Sequence, residues 1–152
     1  MPPDDAIQFL REAKVARFGT IGPDGYPYVV PKLYVYLDGM IFFHGSSAPG
    51  HFATNVRHNA KVCLEIDEPG TVYLHGNTAC DTGITYRSVV AFGTVDVVQD
   101  PEEKTRALDA LVAKYADPAW QLPKGDYGEL GRLTVYRMTI EQMTGKVNAV
   151  PN

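Results

Sequence analysis

The residue types with the clearest chemical potential cluster between Tyr26 and Arg57, in the run YPYVVPKLYVYLDGMIFFHGSSAPGHFATNVR. His44-Gly45-Ser46-Ser47 closes an apolar stretch, and Gly50-His51 leads into what reads as a short helix. A strand ending in small residues at a helix start has the form of an anion cradle, because free backbone N–H groups and the positive end of the helix dipole both favour negative charge. Other chemistries fit less well. His44, His51 and His58 recur every seven residues, which matches neither the i, i+4 pair of a helical metal site nor a zinc-ligand pattern, so no metal site is expected. Ser46 and Ser47 stand in no motif for an activated nucleophile. Asp67 and Glu68, adjacent at a strand end, point to different sides and disfavour a paired-carboxylate site.

The cradle must be positioned by the strands before it. Tyr26 to Leu37 reads as one strand with two apolar or aromatic faces, Val29, Pro31, Leu33, Val35 and Leu37 on one and Tyr26, Tyr28, Val30, Lys32, Tyr34 and Tyr36 on the other. A core can cover one face; the second has to meet a partner subunit or a flat ligand. Pro31 cannot donate to a ladder, so the sheet is interrupted, edged or bulged there, leaving peptide groups for a planar heterocycle; a proline on a plain sheet edge is the simpler alternative.

The remaining elements follow from turns and periodicity. Asp4 or Asp5 is expected to cap a first helix. Ala16 to Gly22 reads as a strand joined by the Pro23-Asp24-Gly25 turn to the next one, and Asp38-Gly39 is a hairpin signal leading into Met40 to His44. Phe52 to His58 reads as a short helix, and Lys61 to Asp67 as a strand that ends in a Glu68-Pro69-Gly70 turn, with a further strand at Thr71 to His75. Thr85 to Val98 is a long β run with Gly93 as a bulge or close approach. Asp100-Pro101 with Glu103 starts a helix to Tyr115, whose apolar face is Leu108, Leu111, Val112 and Tyr115. Trp120 to Leu130 reads as an irregular excursion that either forms a simple surface loop or covers a ligand or a neighbouring subunit. A last strand spans Leu133 to Ile140. Five to seven strands in hairpins with two or three helices make an α+β protein built on an antiparallel sheet or small closed barrel.

Composition narrows the partners. The 152 residues suit a single domain, 1–152, and the formal charge of −4 offers no broad basic face for nucleic acid. The N-terminus lacks the basic start of a signal peptide and no apolar run is long enough for a membrane span, so a soluble, cytoplasmic protein is expected. Cys63 and Cys80 read as free thiols, Cys63 as core filler within an apolar strand.

The order of these motifs resembles the pyridoxamine 5'-phosphate oxidase-like flavoproteins, and among them the branch related to nitroimidazole resistance reductases. The resemblance rests on Gly25-Tyr-Pro-Tyr-Val-Val-Pro31, Ile41-Phe-Phe-His44-Gly-Ser, Gly50-His51 with Asn55-Val-Arg57-His-Asn59, Val62-Cys-Leu-Glu65, Tyr86-Arg-Ser88-Val-Val-Ala-Phe-Gly93 and Thr144-Gly-Lys146. It implies a split β-barrel with two to three flanking helices, a homodimer, and FMN in clefts at the subunit interface. On that resemblance Val29, Val30, Pro31 and Lys32 line the isoalloxazine. His44, Gly45, Ser46 and Ser47 with Gly50 and His51 approach the ribityl phosphate, and Tyr86 and Ser88 reach the cofactor from the later strand. The implied activity is an FMN-dependent reduction or oxidation of a small molecule, with NADH or NADPH as reductant. The alternative is a non-catalytic protein that binds or senses flavin, haem or another planar ligand. The sequence departs from the family in one place: relatives commonly carry Gly-His-Lys or Gly-Arg-Lys where this chain has Gly50-His51-Phe52. A phosphate loses there a charge-assisted bond of about 1.5–3 kcal/mol, and Lys32, His51, Arg57 or Arg87 are the cations available to replace it.

Overall fold

In a computed structural model, residues 1–48, 50–120, 122, 125, 127–128 and 130–151 are described. Seven antiparallel strands form one sheet that curls into a half-barrel. They are β1 (Val15–Ile21), β2 (Pro27–Leu33), β3 (Val35–Leu37), β4 (Met40–Ser46), β5 (Lys61–Leu74), β6 (Thr82–Val97) and β7 (Leu133–Asn148). Three helices flank them: α1 (Pro3–Glu12), α2 (His51–His58) and α3 (Pro101–Tyr115). The strand order is β2-β1-β5-β6-β7-β4-β3, the arrangement expected of an α+β split barrel.

The order contains one correction that matters for the site. The run expected as a single strand from Tyr26 to Leu37 is two strands at opposite edges of the sheet, β2 beside β1 and β3 beside β4. The break falls at Tyr34, not at Pro31, where the pairing with Arg17 is uninterrupted because β2 is an edge strand and proline can turn its donorless side outward. Tyr34 is fully buried and its hydroxyl donates to the Leu10 carbonyl at 2.7 Å. The chain therefore passes from one edge of the sheet to the other through this residue, which brings β2 close to β4 and draws the barrel together.

Both hairpins form where their turn residues demand. Asp38 and Gly39 take positive φ values of 52° and 81°, the left-handed pair that a two-residue turn with strand twist requires. Gly93 stands at a register shift opposite β7, where a Cβ would lie 2.0 Å from the Thr139 carbonyl oxygen. Glu68-Pro69-Gly70, by contrast, is no turn: β5 runs on to Leu74, paired with β6 on both sides of an irregularity between Pro69 and Val72. The last strand likewise continues past Ile140 to Asn148. α1 is capped at Pro2 without a side-chain bond, so Asp4 and Asp5 lie inside its first turn as favourable dipole charges rather than as caps. α3 begins as expected, with the Asp100 carboxylate accepting from the Glu103 amide at 2.9 Å.

The core divides into two. Inside the barrel Phe18, Ile41, Phe43, Leu64, Ile66, Val89, Tyr136 and Met138 pack with Phe9 and Leu10 of α1. On the other side of β4, Phe42, Val98 and Val135 pack against Leu108 and Leu111 of α3. Cys63 belongs to neither. The alternation that buries Val62 and Leu64 turns the thiol to the outer face of β5, where it is only partly covered and burial pushes its pKa up. Of the stretch Trp120 to Leu130, expected either as a simple surface loop or as a cover for a ligand or neighbour, residues 121, 123, 124, 126 and 129 lie outside the described residues, while Tyr127 and Leu130 pack against the core beside α3.

Candidate functional site: the cleft at the start of α2

α2 opens at Gly50, whose backbone is extended and which supplies no side-chain cap; no acidic residue stands in the first turn. Its first amides are therefore open to an anion, beside the end of β4 that carries His44, Gly45, Ser46 and Ser47. A cleft of about 600 Å³ lies between this helix start and the Pro23-Asp24 turn, lined by Gly50, His51, Thr54 and Asn55. The wall is fixed from below. Asn55, almost fully buried, donates to the Thr20 hydroxyl at 3.0 Å, and Thr20 donates to the Tyr28 carbonyl at 3.3 Å, tying α2 to β1 and β2. His51 stacks on Tyr28 with ring centres 5.0 Å apart.

Of the expected site residues, those on β2, β4 and α2 are brought together. Val30 and Tyr28 lean on the barrel core, and Lys32, on the same side of β2, lays its ammonium 4.5 Å from the centre of the Phe52 ring and 5.6 Å from that of Phe43. Burial lowers the Lys32 pKa; burial and the neighbouring Lys32 charge lower that of His44. Val29 and Pro31 face outward on the exposed side of β2, Val29 with 61% of its surface open. Ser46 is engaged locally, accepting from the Ala48 amide at 3.1 Å.

Tyr86 and Ser88 are not part of this grouping within one chain. They lie on β6, separated from β2 by β1 and β5, a lateral offset of about 14 Å at the usual strand spacing. Between them and β2 stretches an outer sheet face that carries Val15, Ile21, Val29, Leu33 and Phe92, all exposed, around Gly19 and Cys63.

Phe52 does not stand where an outward cation would. It is buried, with its ring edge-on to Phe43 and Tyr136 at 5.5 Å each and to Phe18 at 6.3 Å, and so closes one end of the barrel core. Sequence reasoning placed it by motif order and missed the helix rotation that points it inward. The alternation of β2, which sets Lys32 on the inner face with Tyr28 and Val30, was the available signal that this lysine meets it. Of the other candidate cations, Arg87 is bound to Glu12 and Glu68 and lies over Phe9, and Arg57 donates back to the Ala53 carbonyl of its own helix. A second cavity, about 410 Å³ between α1 and the sheet, is lined by Arg17, Arg87, Asp67 and Glu68, whose charges are already paired with one another or with Glu65 and Glu12.

The sequence profile of the pyridoxamine 5'-phosphate oxidase family matches residues 2–147, and the chain belongs to that family. Solved structures with the same fold include a protein assigned to 5-nitroimidazole antibiotic resistance from Bacteroides thetaiotaomicron, 23% identical over 96% of this chain and 84% of that one, with a TM-score of 0.78. The flavocytochrome Anf3 from Azotobacter vinelandii is 22% identical over 99% of this chain and 69% of its own, with a TM-score of 0.84. An FAD-binding protein from Mesorhizobium loti is 25% identical over 98% and 96%, with a TM-score of 0.69. Comparison with curated proteins found no match.

The residues present fit a flavin phosphate. β2 is an edge strand, so the peptide groups on its free side are available to a ring edge. The space beyond Gly50 is open, and the first turn of α2 carries no acidic residue to offset its positive end, although Asp24 of the facing turn places one carboxylate on the cleft's lining.

Proposed function

We propose that the chain binds FMN in two equivalent clefts of a homodimer and acts as an FMN-dependent oxidoreductase on a small molecule, with NADH or NADPH as the electron source. The observation that carries this reading is the uncapped start of α2, open to the cleft beside the Pro23-Asp24 turn, together with the Lys32 ammonium that the β2 edge strand sets over the ring of Phe52 at the second position of that helix. In the proposed complex the β2 edge, with Val29 and Pro31 on its outer side and Val30 and Lys32 on its inner side, borders the ring, and His44, Gly45, Ser46, Ser47, Gly50 and His51 surround the phosphate end. Membership of the family and the FAD-binding relative support a flavin. The exposed apolar outer face supports a second copy of the chain as its cover, which would also bring Tyr86 and Ser88 to the cleft that a single chain leaves without them.

Bound flavin supplies the hydride or electron chemistry. The protein's part is to orient the ring against the β2 edge, hold the phosphate with backbone amides and a cation, and keep one ring face open to substrate. A visible spectrum of the purified protein, FMN titration and anaerobic addition of NADH and NADPH test the proposal. Flavin bands that bleach with a pyridine nucleotide are expected; failure to bind any flavin rejects it. A non-catalytic planar-ligand binder is the second reading, favoured by the fold shared with a flavocytochrome; a haem band, or flavin that no nucleotide reduces, would select it.

A further inference from the structure

Lys32 differs from the ion-paired arginines of this chain. Arg17, Arg87, Arg106 and Arg137 all rest on carboxylates. The Lys32 ammonium has no ion-pair partner among the described residues and stands over two aromatic faces at the start of α2. Ring faces stabilise a cation without neutralising it, so the charge stays available, and the ammonium N–H groups turned away from the rings remain donors. Its position is held. Phe52 is wedged edge-on among Phe18, Phe43 and Tyr136 and cannot swing aside without opening the core.

We propose that Lys32, positioned by the Phe52 ring, is the cation that binds the phosphate of the flavin, so that β2 provides here the charge that α2 does not. This rests on the flavin reading above and sharpens it: Lys32 would meet the phosphate end of the cofactor, not only the ring. Phe52 then acts as a positioning residue, and an apolar side chain at the second position of α2 is compatible with phosphate binding. The half-buried ammonium and the adjacent His44, each disfavoured in its charged form, both gain a counter-charge when a phosphate arrives.

The test is a binding comparison between FMN and riboflavin, which differ only in the phosphate. It uses the full chain and its Lys32→Met and Lys32→Arg variants, with flavin fluorescence as readout and circular dichroism as the check on folding. Wild type should bind FMN more tightly than riboflavin. Lys32→Met should weaken FMN about ten- to a hundredfold while leaving riboflavin within a fewfold, and Lys32→Arg should restore most of the loss. Equal weakening of both flavins by Lys32→Met would place the lysine at the ring and overturn the proposal, as would no change in either. Failure of wild type to bind both flavins would overturn the flavin reading itself, and this proposal with it.

Discussion

The hydroxyl of Tyr115, on α3, accepts from the Tyr34 amide at 3.1 Å and lies 2.6 Å from the Tyr34 carbonyl, to which it donates. One phenol therefore serves both backbone groups of the residue at which the chain leaves β2 for β3, the place where neither sheet edge can. The same hydroxyl lies 2.7 Å from the Lys14 carbonyl, so α3 is tied to the start of β1 as well. Tyr115→Phe removes all of this while keeping the ring. We expect a loss of about 2 kcal/mol, the cost of leaving buried backbone groups unpartnered, and a melting temperature lower by about 4–8 °C for a chain of this size. An unchanged melting curve would mean that water replaces the phenol.

The neighbouring Lys114 predicts a pH dependence. Its ammonium donates to the Ala13 carbonyl at 2.7 Å and lies 4.2 Å from the Tyr34 ring centre, and burial lowers its pKa to about 8. The folded value lies below the unfolded one, so between them the unfolded chain holds the extra proton and stability rises with pH. The unfavourable burial of the charge is felt in full below pH 8 and is relieved above it. Urea midpoints measured from pH 7.5 to 9.5 should therefore increase, and Lys114→Met should flatten the increase. A wild-type midpoint that falls over this window would contradict the assignment.

Local signals carried much of the fold. Asp38-Gly39, Asp100-Pro101 and the bulge at Gly93 were readable because each acts through its own backbone geometry or a hydrogen bond within a turn. The break at Tyr34 was not readable, since alternation continues through it; only the sheet order, a long-range property, shows that the two halves of the run belong to opposite edges. Similarly, Glu68-Pro69-Gly70 has turn composition, but pairing with the continuous β6 holds it extended. Within the site, the β2, β4 and α2 residues were legible as a group because they follow one another in sequence. Cys63 was legible too: the alternation that sets Val62, Leu64 and Ile66 against Lys61, Cys63 and Glu65 already puts the thiol on the outer face, against the reading of Cys63 as core filler.

The outer face makes a prediction about assembly. Phe92 and Leu33 are about half exposed on a sheet surface whose centre, at Gly19, is flat. A cavity of about 420 Å³ lies there between Ile21, Pro27, Cys63 and Phe92. If two copies meet through it, Phe92→Asp buries an unpaired carboxylate at the contact. Light scattering should show wild type as a dimer and Phe92→Asp as a monomer, with flavin affinity falling together with dimerisation. A monomeric wild type, or a variant that still dimerises, would remove this face from consideration.

Phe52 supplies a prediction that opposes the simplest use of the family pattern. By the family pattern alone, a basic residue at the second position of α2 would tighten phosphate binding. The structure argues otherwise, because the side chain at 52 points into a box of Phe18, Phe43 and Tyr136. In Phe52→Lys the ring contacts are lost and a second ammonium enters the space over which Lys32 already stands, 4.5 Å from the ring centre it replaces. Truncating a buried aromatic costs about 3–5 kcal/mol, and like charges so close add to that cost. The expected result is a strongly destabilised protein with weakened FMN binding, measured by thermal unfolding and flavin titration of the soluble fraction. Phe52→Tyr, which keeps the ring under Lys32, should retain most of both. If Phe52→Lys instead melts near wild type and binds FMN more tightly, its side chain has found the phosphate, and the closed aromatic box is not the state that binds.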